Sequence, residues 1–217
     1  MAATAKPNSP RKRLSAEDRR EAILESALEV FSRRGYNGAS IDDIAQAAGI
    51  SKALIYEHFP SKKDLHVSLL ETHVQEIFVR LSQTADTNEP GEVRLRAGVD
   101  AFFRWAEEHR EAFRLLFRDT FELEVAEVLN RLQNQATGAI AALIASEPAE
   151  PGPRDTETDF ALAIEAMAQQ LSGGAQSLAI WWQSHPHVKR DWLVDRVMEY
   201  AWLGLERVRA GQRAPRP

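Results

Sequence analysis

Apolar positions recur along this chain with helical spacing from residue 15 almost to the end. Ile23, Ala27, Val30 and Phe31 fall at i, i+4, i+7 and i+8, which is one stripe of a helix. Ser15 and Asp18 have capping-box spacing and open that helix, and Gly35 is its expected stop. A short helix is predicted from Ser40, with Asp42 and Asp43 in its first turn, Ile41, Ile44, Ala45 and Ala48 facing inward, and Gly49 ending it. Ser51 then caps a helix of about two turns, because Pro60 removes a backbone donor. Ser61 and Asp64 cap a fourth helix that reaches about Gln83. The stretch 84–91 is rich in turn residues, and helical periodicity resumes from Glu92 to about His109. Further helices are expected over Arg110–Asp119, Thr120–Ser146, Thr156–Ser184 and Val188–Arg209. Residues 147–155 hold three prolines and a glycine and read as an exposed linker. No period-two run interrupts the pattern, so the predicted fold is all-α with about nine helices.

Composition narrows the function. The 217 residues contain no cysteine, which excludes disulfides, thiolate metal sites, iron–sulfur clusters and a cysteine nucleophile. No apolar run approaches the ~20 residues that span a bilayer, and residues 1–10 carry no signal-peptide core, so a cytoplasmic protein is expected. The net charge of −5 is uneven. Residues 1–66 carry 11 Lys/Arg against 9 Asp/Glu, and residues 67–217 carry 16 against 23. A weakly basic segment joined to an acidic body suits a polyanion reader with a second task behind it. Residues 1–14 form a predicted flexible tail ending in Arg11-Lys12-Arg13, either a solvated terminus or an arm that tracks phosphates.

The densest chemistry lies in residues 40–59. Two short capped helices around a glycine turn make a helix-turn-helix. Ile44, Ile50, Ile55 and Phe59 form its buried side, leaving Lys52, Ala53 and Tyr56 outward, with Leu54 and His58 at the edges. In a major groove, Lys52 offers a cation to phosphate or guanine, Ala53 and Leu54 suit thymine methyls, and Tyr56 donates to phosphate. Ser40 sits at a helix start, where its hydroxyl and free N–H groups attract phosphate, and Lys62 is similarly placed at the start of the fourth helix. A plain three-helix bundle explains the core residues equally well. It does not explain cations and a tyrosine gathered at two helix starts.

Ile23 to Leu65, with its Tyr-x-x-Phe-x-Ser-Lys run from Tyr56 to Lys62, resembles the DNA-binding domain of the TetR family of bacterial transcriptional repressors. The resemblance implies a homodimer on a palindromic operator and an all-helical C-terminal domain that dimerises and holds an inducer. The family's DNA contacts map to Ser40, Lys52, Ala53, Leu54, Tyr56, His58 and Lys62. Ala53 stands where glycine is frequent, Leu54 where threonine is frequent, and Asp42 where some members have a basic residue. The implied organisation is a tail over 1–14, a helix-turn-helix domain over 15–66 and a ligand-binding and dimerisation domain over 67–217.

The body has no nucleophile elbow, phosphate-cradling glycine loop or His-Glu metal motif, so no enzyme activity, cofactor or metal is expected. Of its histidines only His185 and His187 are close, at a turn. Aromatic residues crowd two windows, 102–121 and 181–202, and can line a cavity between helices. The expected ligand contacts are Trp105, Phe113, Phe117, Gln133, Met167 and Gln170, with Gln169 and Gln176 as further polar candidates. The last two helices are the predicted dimer face, through Leu171, Leu178, Trp181, Val194, Met198, Ala201, Trp202 and Leu205. A small hydrophobic effector among the central helices would shift the fourth helix and splay the two readers. A ~100-fold preference for the splayed state contributes about 2.7 kcal/mol to that shift. The competing readings are an all-α small-molecule carrier or enzyme, and a helical adaptor that binds protein instead of DNA.

Overall fold

The computed structural model describes residues 15–85, 88–117, 123–146 and 156–212. Every regular element among them is an α-helix, nine in all. The chain divides into two compact units, one ending at His66 and the other beginning at Val67. The predicted tail (1–14) and linker (147–155) lie outside the described residues.

In the first unit, α1 spans Ala16–Gly38. Its start is fixed by a reciprocal cap: Asp18 N–H donates to the Ser15 hydroxyl at 3.0 Å, and Ser15 N–H donates to the Asp18 carboxylate at 3.1 Å. The apolar stripe buries Ile23, Leu24, Ala27, Val30 and Phe31. Gly35 breaks the helical backbone as expected, at φ 68°, but one further turn follows before Ala39. Helix α2, Ile41–Ala48, is capped by the same device, Ser40 with Asp43. It ends at Gly49 in the left-handed conformation, φ 65° and ψ 32°, where a side chain would be strained.

Helix α3, Lys52–His58, is only seven residues long, too short to persist alone. Packing holds it: Ile55 and, just beyond it, Phe59 are buried with Ile44 of α2. Each such side chain contributes about 1.5–3 kcal/mol by leaving water. The Arg20 guanidinium covers the Phe59 ring at 5.2 Å and closes the core from α1. Helix α4, Lys62–Ala85, starts in this unit and continues into the next. Asp64 N–H donates to the Ser61 hydroxyl at 3.1 Å to cap it.

The second unit contains the rest of α4, then α5 (Gly91–Glu108), α6 (Arg110–Phe117), α7 (Leu123–Ala145), α8 (Glu157–Trp182) and α9 (Arg190–Arg209). Helix α7 packs along α8, and α5 packs along α9. The α5–α9 seam carries ion pairs at both ends. Arg190 reaches Asp100 at 2.8 Å and Glu107 at 2.7 Å, and Arg96 reaches Asp195 at 2.8 Å. The Trp182 indole N–H donates to the Val188 carbonyl at 2.8 Å and fixes the α8–α9 turn. Phe103, Trp105, Phe113 and Leu193 are fully buried at the centre of this unit.

Candidate functional site

The candidate reading face is the outer side of α2 and α3. Ser40, Lys52, Ala53 and Tyr56 are exposed, and Leu54 and His58 are half-buried at its edges. Tyr56 shows 45% of its surface to solvent while its neighbour Ile55 shows none. That contrast fixes the rotation of α3. The Lys52 ammonium donates to the Asp42 carboxylate at 2.8 Å, and this hydrogen bond holds its pKa above the usual lysine value. The Ser40 hydroxyl both accepts from Asp43 N–H and donates to the Asp43 carboxylate at 2.7 Å. That bond, helped by Arg34 at 2.7 Å, keeps Asp43 ionised below the ordinary carboxylate range.

Lys62 is placed differently from the other predicted DNA contacts. It is half-buried, its ammonium donates to the carbonyls of Tyr36 (2.9 Å) and Ala39 (3.2 Å), and it sits 4.1 Å over the Tyr36 ring. Two of its three protons are therefore engaged in closing the α1–α2 connection. His66 lies just beyond, buried between the rings of Phe31 and Tyr36, both at 4.8 Å. Neither ring nitrogen has a hydrogen-bond partner among the described residues. Burial, with the Lys62 cation nearby, pushes its pKa down to about 4.

The second unit holds a cavity of about 580 Å³ between α4, α5, α6, α7 and α8. Its size lies within the ordinary range for small-molecule sites. Val74, Leu95, Val99, Phe102 and Ile140 supply apolar wall, and Gly98 lets α5 approach α4, where a Cβ would meet the Thr84 hydroxyl at 3.3 Å. Of the expected contacts, Phe117 and Gln133 line this cavity. Trp105 and Phe113 are fully buried in the adjoining core, and neither they nor Met167 is among the described lining residues. Gln176 of α8 joins the wall, its amide donating to the Ser172 hydroxyl at 3.5 Å. The aliphatic wall residues escaped the sequence reading because an apolar stripe looks the same whether it faces a neighbouring helix or a void.

Gln170 lies elsewhere, in a groove on α8 and α9 with Trp181, Trp192 and Tyr200. Leu171, which lines the cavity, and Leu178 also border this groove. Of the expected dimer residues, Val194, Met198 and Leu205 are buried within the protomer, while Ala201 and Trp202 are half-buried. The exposed apolar surface of α9 is carried by Trp192, Tyr200 (74% exposed) and Leu203.

A capped helix-turn-helix on an all-helical body defines a DNA-binding transcriptional regulator. The chain belongs to the TetR family: residues 23–69 match the bacterial regulatory proteins of the tetR family, and residues 91–204 match the tetracyclin repressor-like C-terminal domain. It is 31% identical over 198 residues to the HTH-type transcriptional activator FasR of Mycolicibacterium smegmatis, covering 90% of this chain and 87% of that one. Its fold is similar to a TetR-like transcriptional regulator from Rhodococcus sp. RHA1, with a TM-score of 0.74 at 24% identity over 89% of this chain and 99% of that one. It is also similar in fold to FadR from Bacillus subtilis in complex with stearoyl-CoA, with a TM-score of 0.66 at 16% identity over 89% of this chain and 99% of that one. No described helix is long and apolar enough to cross a membrane.

Proposed function

We propose that this regulator is a ligand-responsive homodimer that binds a palindromic operator and is released from it by a small hydrophobic effector, acting as a repressor. Residues 15–66 read DNA through Ser40, Lys52, Ala53, Leu54, Tyr56 and His58, and Lys62 braces that surface from behind. Residues 67–217 hold the effector and form the dimer. The observation that carries the reading is the pairing of an exposed, cation-bearing α3 with an apolar cavity whose wall includes α4, the helix that begins beside the reader. The effector class that fits an apolar wall of this size is a long acyl chain, and FadR, similar in fold, was crystallised with stearoyl-CoA. The exposed aromatic groove on α8 and α9 supports dimerisation through Trp181, Trp192 and Tyr200.

Selection of bound fragments from random DNA tests the operator: a two-fold repeat with half-site centres about 34–36 Å apart is expected. Adding a long-chain acyl-CoA then releases the fragment. The likeness to FasR favours a second reading, activation. Transcription from the selected site in a purified system separates the two, since a repressor lowers output when bound and an activator raises it.

A further inference from the structure

The first turn of α2 holds two acidic residues that do different work. Asp43 closes the Ser40 cap and pairs with Arg34, so the helix start is completed without Asp42. The Asp42 carboxylate instead accepts from the Lys52 ammonium at 2.8 Å, across the turn between the two helices. Both side chains stand in solvent on the reading face, Lys52 47% exposed and Asp42 69%. The backbones that carry them are held by buried Ile44 and Ile55 and by the Gly49 turn, where Ile50 N–H donates to the Ala45 carbonyl at 3.0 Å. The pair is thus presented on fixed elements, with Tyr56 one turn along the same side of α3.

A carboxylate on a surface that meets phosphates is repelled by them. A contact that offsets this repulsion exists on the base edges. In the major groove a G·C pair shows guanine N7 and O6 as acceptors and, beside O6, the cytosine N4–H donor. O6 and N4 are Watson–Crick partners, one ordinary N–H···O hydrogen bond apart. Lys52 and Asp42 present the complementary donor and acceptor at the same spacing. After its bond to Asp42 the ammonium keeps two protons, enough for O6 and N7, and the carboxylate keeps lone pairs for N4–H. A T·A pair has the same order but gives the lysine one acceptor, O4, with a methyl group beside it. The two reversed pairs set donor against donor and acceptor against acceptor. From this we propose that the Lys52–Asp42 pair reads one G·C base pair in each half-site as a unit, guanine on the Lys52 side, which makes Asp42 a specificity-determining residue. The inference rests on the operator reading above and adds a residue and a base pair to it. On mixed-sequence DNA the pair meets no match, and Lys52 turns to phosphate.

Selection from a random-sequence duplex pool by the full-length protein, wild type beside Asp42→Ala, tests the inference. In the wild-type operator one position of each half-site is G·C in a fixed orientation, and any other pair there weakens binding at least about fivefold. Asp42→Ala levels that position to within about twofold and leaves the others as they were, which also shows that the variant is folded and docked. The swapped variant Asp42→Lys/Lys52→Asp separates reading from mere positioning of the lysine, because exchanging donor and acceptor selects C·G at the same position. A G·C preference that survives Asp42→Ala overturns the inference, as does a wild-type operator in which no position responds to that substitution, or a swapped variant that does not select C·G. In each of these cases the operator reading stands. A pool in which the wild type enriches no sequence defeats the operator reading and this inference with it.

Discussion

The Lys52 ammonium lies 2.8 Å from the Asp42 carboxylate, an ion pair that joins the first turn of α3 to the first turn of α2. Both side chains are exposed, so the pair is a poor source of stability but a direct competitor for phosphate. Asp42→Asn should free the lysine and tighten binding to mixed-sequence DNA at low salt. Lys52→Ala should weaken binding and reduce the log–log salt slope by about 0.9, the value of one phosphate no longer neutralised. Fluorescence anisotropy over a salt series checks both, and equal slopes in the wild type and Lys52→Ala would show that Lys52 touches no phosphate.

Lys62 is bound by different forces from Lys52. Its bonds to the Tyr36 and Ala39 carbonyls and its place over the Tyr36 ring predict that Lys62→Met costs about 1–2 kcal/mol of stability. Urea denaturation measures it. Stability within roughly 0.3 kcal/mol of the wild type would show that the lysine does not brace the unit.

His66 makes the reader acid-sensitive. In the unfolded chain it titrates near 6.5, whereas in the folded unit burial pushes its pKa down to about 4. Between these values the unfolded state binds the proton and the folded state does not. The stability of the neutral buried ring is thus whole above pH 6.5 and is lost as pH falls towards 4, by about 3 kcal/mol at the lower end. His66→Phe keeps the aromatic contacts with Phe31 and Tyr36 and should flatten this part of the pH–stability curve. Thermal melts at about pH 7, 6 and 5 provide the comparison.

Ala136 is a half-buried wall residue of the cavity. Methyl dodecanoate at one hundred times its dissociation constant should stabilise the wild type by about 2.7 kcal/mol. Ala136→Phe fills part of the void and should erase most of that gain. A ligand-induced shift in melting temperature that survives the substitution would place the ligand elsewhere.

The caps were legible in the sequence because they are local. Ser15 with Asp18 and Ser61 with Asp64 each close within one turn, so spacing alone predicts them. The same holds for the exposed side of α3, which follows once Ile55 and Phe59 are known to face inward. Partner choice in the body was not legible, because it is set between helices far apart in the chain. Trp105 and Phe113 advertise a pocket by type but are consumed by the core, while Leu95 and Val99 on α5 meet the void. On α9, apolar residues lie on several sides. The pattern cannot say that Val194 and Met198 face inward within the protomer while Trp192 and Tyr200 face out.

Helix α5 serves two neighbours at once: Leu95, Val99 and Phe102 form cavity wall, while Arg96 and Asp100 reach across to α9. The sheltered Arg190–Asp100 pair, with the packing of α5 along α9, ties this wall to its neighbour. The α7 panel opposite is built of Ala136, Ala139 and Ile140, whose apolar contacts have no fixed direction and can slide. On the effector reading proposed above, guests of different girth are accommodated on the α7 side, where the wall is built of small and aliphatic side chains.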